Sequence, residues 1–245
     1  MRSLTDAAAS AKRAVFVTGG TGYIGRRLIA ALLARGHTVR AMARPASAAR
    51  LPAGCSPVLG DVLDAAQLAG ALRSDDVLVH LVGTSHPSPA KAALFRSVDL
   101  ASAKASTDAA VRARVAHVVY VSVAHPAPVM QAYIAARMDA EAYLLASGVS
   151  HTVLRPWYVL GPGHQWPHVL RPMYALADYV SAWRETSRRL GLVTVAEMVG
   201  ALVWSAETGN AAPLGGPRVL EVPDIRERGR ARMDATFGDA LTRHP

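Results

Sequence analysis

The sequence predicts a doubly wound α/β fold, a parallel sheet with helices on both faces and a small C-terminal cap. Three observations predict it. Strand and helix signals alternate from Ala14 to Leu154. A glycine-rich turn joins the first strand to the first helix. The segments between strands are long enough for right-handed parallel crossovers.

The first strand is Ala14 to Thr18. A helix from Tyr23 to Arg35 stops at Gly36, the residue type favoured just past a helix end. Strands follow at Thr38 to Ala43, closed by Pro45, and at Ser56 to Gly60. Asp64 suits the N-cap of a helix running to Arg73. Val77 to Val82 is apolar except for His80, the pattern of a strand covered on both faces. The loop Gly83 to Pro89 leads into a long helix from Lys91 to Arg114, then a strand at His117 to Ser122. A proline-rich loop, Ala124 to Pro128, precedes a helix from Met130 to Ala146 and a sixth strand at Thr152 to Leu154. Past Arg155-Pro156, prolines and tryptophans become frequent. A helix at Thr194 to Ala206 and a strand at Arg218 to Val222 are expected there. Residues 13–155 read as the core and 156–245 as the cap of one domain spanning 1–245.

The composition of 51% apolar and 18% charged residues in 245 supports a sizeable core and argues against disorder. Cys55 stands alone, which excludes an internal disulfide and fits a reducing compartment. No apolar run approaches the roughly 18 residues of a membrane helix, and Met1 to Arg13 lacks the core of a signal peptide. A cytoplasmic protein with no membrane partner is therefore expected. The net charge is +9, carried mostly by arginine. Arg226, Arg228, Arg230 and Arg232 form a stripe, but Glu227 and Asp234 interrupt it and no aromatic residue interleaves for base stacking. It reads as a solvated face, and nucleic acid is disfavoured as a partner.

The turn Thr18-Gly19-Gly20-Thr21-Gly22-Tyr23-Ile24-Gly25 carries the strongest functional signal. It follows a strand and opens a helix, so bare backbone N–H groups and the positive helix end converge on one spot suited to a pyrophosphate. Gly19 permits the tight turn, Gly22 lets phosphates approach the backbone, and Gly25 lets the helix pack closely on the strand. The second strand ends without an acidic residue. Arg44 stands instead where a 2′-phosphate would lie, with Arg26 as a second contact, which favours NADP over NAD. A solvated strand-end arginine is the alternative. Asp61, followed by Val62, is placed to accept from the adenine amino group, or equally to cap the helix near Asp64.

With these residues in place, the first 160 or so positions resemble the extended and atypical short-chain dehydrogenase/reductases, closest to NmrA-like and epimerase-like proteins with a Rossmann-like fold. The features that carry the resemblance are the glycine turn, Gly60-Asp61-Val62, Val119-Tyr120-Val121-Ser122, Tyr133 with Arg137, and Leu154-Arg155-Pro156 followed by Gly161-Pro162. The resemblance implies that Thr21, Tyr23 and Ile24 sit in the cofactor turn and that Leu81, Val82 and Gly83 line the cofactor. It also implies that the backbone after Pro156 meets the nicotinamide.

The same resemblance implies a Tyr-x-x-x-Lys pair. Tyr133 and residue 137 have the i, i+4 spacing that puts them on one helix face, but residue 137 is arginine. Arg137 keeps the positive charge that would favour a tyrosinate, and its role would be to anchor the nicotinamide ribose. The usual Ser or Thr beyond the fifth strand is absent unless Ser122 serves, since Val123-Ala124-His125 follow. Tyr133 is thus the candidate acid/base, Arg137 the ribose anchor and Ser122 the substrate-orienting hydroxyl. Tyr133 reads alternatively as a buried ring with a wet hydroxyl. His86 and His125 lie in loops at the carboxyl edge and are weaker candidates. Trp157 and Tyr158 line the substrate pocket or pack the cap. His164 and His168 have helical spacing, but Pro162, Gly163 and Pro167 argue against a helix, so no metal is expected.

The expected function is hydride transfer to or from a small carbonyl-type molecule. The alternative is an NAD(P)-binding redox sensor or partner-assisting protein without turnover. A homodimer through the two long helices is allowed by the sequence but not demanded by it.

Overall fold

The computed structural model describes residues 12–127, 129–162, 191–209 and 218–232. Among them the chain runs β1 (Ala14–Thr18), α1 (Tyr23–Ala34), β2 (Thr38–Ala43), α2 (Pro45–Ala48), β3 (Ser56–Leu59), α3 (Ala65–Ala71) and β4 (Asp76–His80). A helical rod follows: a 3₁₀ turn at Pro89–Lys91, α4 (Ala92–Leu94), a wide π turn at Phe95–Leu100 and α5 (Ala101–Ala113). Then come β5 (His117–Val121), α6 (Gln131–Ala146), β6 (His151–Leu154), β7 (Tyr158–Leu160), β8 (Leu192–Thr194), α7 (Val195–Thr208), β9 (Arg218–Leu220) and α8 (Val222–Arg232).

The main sheet has the order β3-β2-β1-β4-β5-β6-β9, and each neighbouring pair is parallel. The order reverses between β1 and β4, the switch point where doubly wound sheets bind ligands at their carboxyl edge. Strand alternation builds both faces. Val15 and Val17 point towards α1 and α7, packing with Leu28, Ile29, Leu32, Met198 and Leu202. Phe16 points the other way, into a layer with Leu78 of β4 and with Leu68, Phe95, Leu100 and Leu144 from α3, the rod and α6.

The local signals hold closely in the first half. Asp64 caps α3 by accepting from the backbone N–H of Ala66 and Gln67, and β2 has the expected bounds. Three expectations are corrected. The fourth strand stops at His80, so Leu81, Val82 and Gly83 belong to the loop after it. The fifth stops at Val121, leaving Ser122 just past the strand with its N–H donating to Leu154 O. The helix expected from Lys91 to Arg114 is one continuous rod only in outline, because its Phe95–Leu100 segment is wound as a π turn.

Beyond Pro156 the expected helix and strand join the main body. β9 pairs with β6, and α7 lies against α1 in the core. The α7 N-terminus carries a capping box: Thr194 Oγ1 accepts from Glu197 N–H at 3.1 Å, and Glu197 Oε2 accepts from Thr194 N–H at 2.9 Å. The parallel pair β7-β8 and helix α8 were not expected. α8 contains the arginine stripe: Arg228 and Arg230 stay exposed as a solvated face would, while Arg226 and Arg232 are half-buried and tie the helix down. Arg226 donates to Leu192 O, Arg230 and Arg232 pair with Glu197 and Glu207, and Arg228 lies 4.8 Å over the Trp204 ring. α8 can approach α7 this closely because Gly200 and Gly229 face each other: a Cβ on either would collide with backbone of the other helix.

Candidate active site at the carboxyl edge of the sheet

The glycine turn sits at the carboxyl end of β1, directly at the switch point. Gly19 has φ +76°, a conformation that favours glycine, and a Cβ there would lie 2.8 Å from the Leu81 carbonyl carbon. Gly22 is the N-cap of α1 and gives it no side-chain cap, so the first-turn N–H groups remain bare. A Cβ on Gly22 would stand 3.2 Å from Gly19 O, at the mouth of the cradle. The expected purpose of Gly25 is refined: a Cβ there would lie 2.8 Å from Gly20 Cα and collide with Gly19 O, so it packs on the turn itself. Among these residues only bare backbone faces the spot, which fits a pyrophosphate.

Thr21 is half-buried within this turn, and Ile24 packs against the core below. Tyr23 lies under the Arg27 guanidinium, 4.1 Å from its ring centroid, and its hydroxyl reaches Gly161 after β7. Arg44 is exposed, two residues beyond Met42, which pairs with Thr18 in the register of β1 and β2. Its side chain therefore emerges one strand over from the glycine turn. Arg26 is half-buried on α1. Asp61 does not cap α3. Its Oδ1 accepts from Leu63 N–H at 3.0 Å, a local turn that leaves the carboxylate exposed beyond β3, with Val62 half-buried beside it.

Leu81 and Val82 are half-buried after β4, and Leu81 N–H donates to Thr18 O. Gly83 is exposed, and Arg137 Nη2 lies where its Cβ would be. Pro156 is buried after β6, its carbonyl accepting from Ala124 N–H at 2.9 Å. The cofactor-side residues named from sequence thus gather along one edge, at the ends of the adjacent strands β3, β2, β1 and β4 and of β6, one strand beyond β5.

The catalytic candidates are arranged differently from expectation. Tyr133 sits near the start of α6, its ring edge-on to Phe95 with centroids 5.0 Å apart. Arg137, one turn on, is only 5% exposed. Its Nη2 donates to Asp99 Oδ1 at 2.7 Å, and its Nη1 to Val121 O at 2.9 Å and to the Tyr120 hydroxyl at 3.3 Å. The guanidinium is turned into the protein and bound to these partners. It still lies 5.1 Å from the Tyr133 ring centroid, so its charge bears on the tyrosine. Burial opposes that charge, but Tyr120, Tyr133 and Asp99 more than offset it and the Arg137 pKa is raised. Ser122 is 3% exposed, and its Oγ has no hydrogen-bond partner among the described residues.

His125 does not face this group directly. Its Nε2 lies 3.5 Å from Glu141 on α6, and Glu141 also binds Arg155, which holds Glu221 at 3.0 Å. His86 occupies the loop after β4 with φ 49°. Trp157 and Tyr158 stack edge-on with centroids 5.3 Å apart, and Trp157 packs against Val123, Ala124, Ala127 and Ile134 beside Tyr133. Cys55 is half-buried, and burial pushes its thiol up to about 11. His164 and His168 lie outside the described residues.

Sequence reasoning missed Asp99 and the polar stripe behind it. Thr18 Oγ1 and Ser106 Oγ both meet His80 Nδ1, at 2.8 and 2.9 Å, and Ser102 Oγ donates to Asp99 O. Burial, and then the nearby Arg137 charge, lower the His80 pKa to about 3, so the imidazole is neutral. The signal was present as Asp99, Ser102 and Ser106 at i, i+3, i+7 in an alanine-rich helix, opposite the one polar residue of β4.

Comparison with known proteins agrees with this geometry. A family model described as NAD(P)H-binding matches residues 19–167. A ketoreductase of Stigmatella aurantiaca, acting on 4-hydroxy-2-methyl-3-oxo-4-farnesyl-3,4-dihydroquinoline-1-oxide by its name, is 32% identical over 60% of this chain and 50% of its own length. A ceramide reductase of Caulobacter vibrioides is 26% identical over 95% of this chain and 71% of its own. The chain thus spans only about half the length of the first of these relatives. Among solved structures, the Bordetella bronchiseptica enzyme WbmH in complex with NAD+ superposes with a TM-score of 0.63 at 23% identity, covering 96% of this chain and 84% of that one. A short-chain dehydrogenase/reductase superfamily protein of Agrobacterium tumefaciens with bound NAD gives 0.62 at 19% identity, over 85% and 77%. Among the described residues no helix is long and apolar enough to cross a membrane. Glycine turn, parallel sheet and matched region agree: the chain belongs to the NAD(P)H-binding family and has the Rossmann-like fold of the short-chain dehydrogenase/reductases.

Proposed function

We propose that the protein is an NADP-dependent oxidoreductase that reduces a small carbonyl-type substrate. The observation that carries this reading is the uncapped α1 N-terminus at Gly22, with exposed Arg44 one strand over in register and no acidic residue at the β2 end. A guanidinium fork suits a 2′-phosphate. Gly19, Gly22 and the first turn of α1 would hold the pyrophosphate, Asp61 would accept from the adenine amino group, and the loop from Leu81 to Gly83 with the backbone after Pro156 would flank the nicotinamide. When bound, that cofactor supplies the hydride. Tyr133 donates the proton to the carbonyl oxygen, with the Arg137 guanidinium 5.1 Å from its ring centroid. Ser122 orients the substrate. Val123, Ala127, Ile134 and Trp157 exclude water on the apolar side. The reductase names of the relatives support the reductive direction.

A second reading is favoured by one observation: Arg137 is already neutralised by Asp99. That arrangement would suit an NAD(P)-binding protein that senses redox state, or assists a partner, without turnover. Calorimetric titration with NADPH, NADH, NADP and NAD, followed by a carbonyl panel, separates the readings. NADPH affinity well above NADH with turnover supports the enzyme, and tight binding without turnover supports the sensor. Binding of none of the four defeats both.

A further inference from the structure

We infer that Asp99 and Thr84 are positioning residues: together they clasp Arg137 beneath Gly83 and so hold three separate pieces of the site as one surface. Asp99 is 1% exposed and uses both carboxylate oxygens. Oδ1 takes Arg137 Nη2 at 2.7 Å. Oδ2 accepts from the Thr84 backbone N–H at 2.9 Å and from its hydroxyl at 2.6 Å. Arg137 passes the tie on to Val121 O, at the end of β5 beside Ser122. One carboxylate thereby links the loop after β4, the end of β5 and helix α6.

Two features mark this as built for the purpose. The clasp closes only because Gly83 has no side chain, since Nη2 fills the position a Cβ would take. Asp99 also belongs to the π turn, a winding often found at functional sites, and Phe95 of the same turn braces the Tyr133 ring. A buried guanidinium keeps its charge and needs a counterion, so Asp99 serves as both tether and neutraliser. The inference rests on the oxidoreductase reading only for its functional consequence. The clasp itself is a property of the chain.

The tests separate the two. Hydrogen exchange of the Thr84 amide needs no cofactor. It should be protected in the unaltered protein and faster in Asp99→Ala, and equal exchange in both would overturn the clasp. Since Asp99→Ala leaves a buried charge unpaired and risks misfolding, Thr84→Val provides the gentler variant. It loses one hydrogen bond to a charged group, and NADPH affinity should fall about tenfold, read by nicotinamide fluorescence. Affinity for adenosine 2′,5′-bisphosphate, which lacks the nicotinamide end, should not move. Thr84→Ser keeps the hydroxyl and should recover NADPH affinity. Thr84→Val binding NADPH as the unaltered protein does would refute the positioning role. Failure of the unaltered protein to bind NADPH would instead refute the cofactor reading, with the exchange result alone deciding the clasp.

Discussion

The Tyr23 hydroxyl occupies the position that a Cβ on Gly161 would take. Tyr23 belongs to the glycine turn and Gly161 follows β7, so the contact joins the cofactor side of the edge to the segment beyond Pro156. Burial, moderated by the Arg27 charge, raises the Tyr23 pKa, so the phenol stays neutral.

Gly161→Ala should therefore destabilise the protein by about 1–3 kcal/mol through overpacking, seen as a Tm several degrees lower. Adding Tyr23→Phe should recover part of the loss. Recovery stays partial because Val195 Cγ1 would also lie 2.8 Å from the new methyl. An unchanged Tm in Gly161→Ala would contradict the contact.

The glycines of the turn should separate folding from binding. Gly25→Ala meets immovable backbone and should lower stability markedly, by circular dichroism on heating. Gly22→Val projects towards the mouth of the cradle, so the protein should remain folded while dinucleotide binding is abolished. Retained affinity in Gly22→Val would overturn the placement of the pyrophosphate.

Arg44→Ala should weaken NADPH by about tenfold or more, the worth of a charge-assisted contact, while NADH affinity changes little. Equal loss for both cofactors in parallel titrations would exclude a 2′-phosphate contact.

Tyr133→Phe should lower kcat by about a hundredfold or more with NADPH affinity kept, since only the proton donor is removed. Turnover equal to that of the unaltered enzyme would exclude Tyr133 as the acid.

Stability should decline in mild acid. Burial, with the charges of Arg137 for His80 and of Arg218 and His151 for His117, lowers both pKa values from 6.5 to about 3. Between those values the unfolded chain binds protons that the folded one refuses. Stability is then fully present above pH 6.5 and is lost as pH falls towards 3, by on the order of a few kcal/mol. Glu207 adds to this. Burial pushes its carboxyl up, but hydrogen bonds from His37 and Arg35 and the charges of Arg35 and Arg232 pull it below the usual value of 4.5, a contribution lost as pH drops through the carboxylate range. Urea midpoints measured from neutral to acid pH check the sign, and a flat profile would contradict neutral buried histidines.

Much of the cofactor side was legible because its signals are local. A strand, a glycine with positive φ and an uncapped helix start follow one another within a dozen residues, and Asp64 announces its own helix. The contacts of the α8 arginines escaped the sequence because their partners, Leu192, Glu197, Trp204 and Glu207, lie at least 20 positions away along the chain.

The sequence by itself determined the alternating α/β order, the glycine cradle and the absence of an acid at the end of β2, because each depends on neighbours along the chain. The tertiary structure decided what Arg137 does. The family resemblance implied a ribose anchor, while in the structure the buried guanidinium takes a counterion. That counterion, Asp99, is 38 residues away on a π turn that packing brings alongside α6.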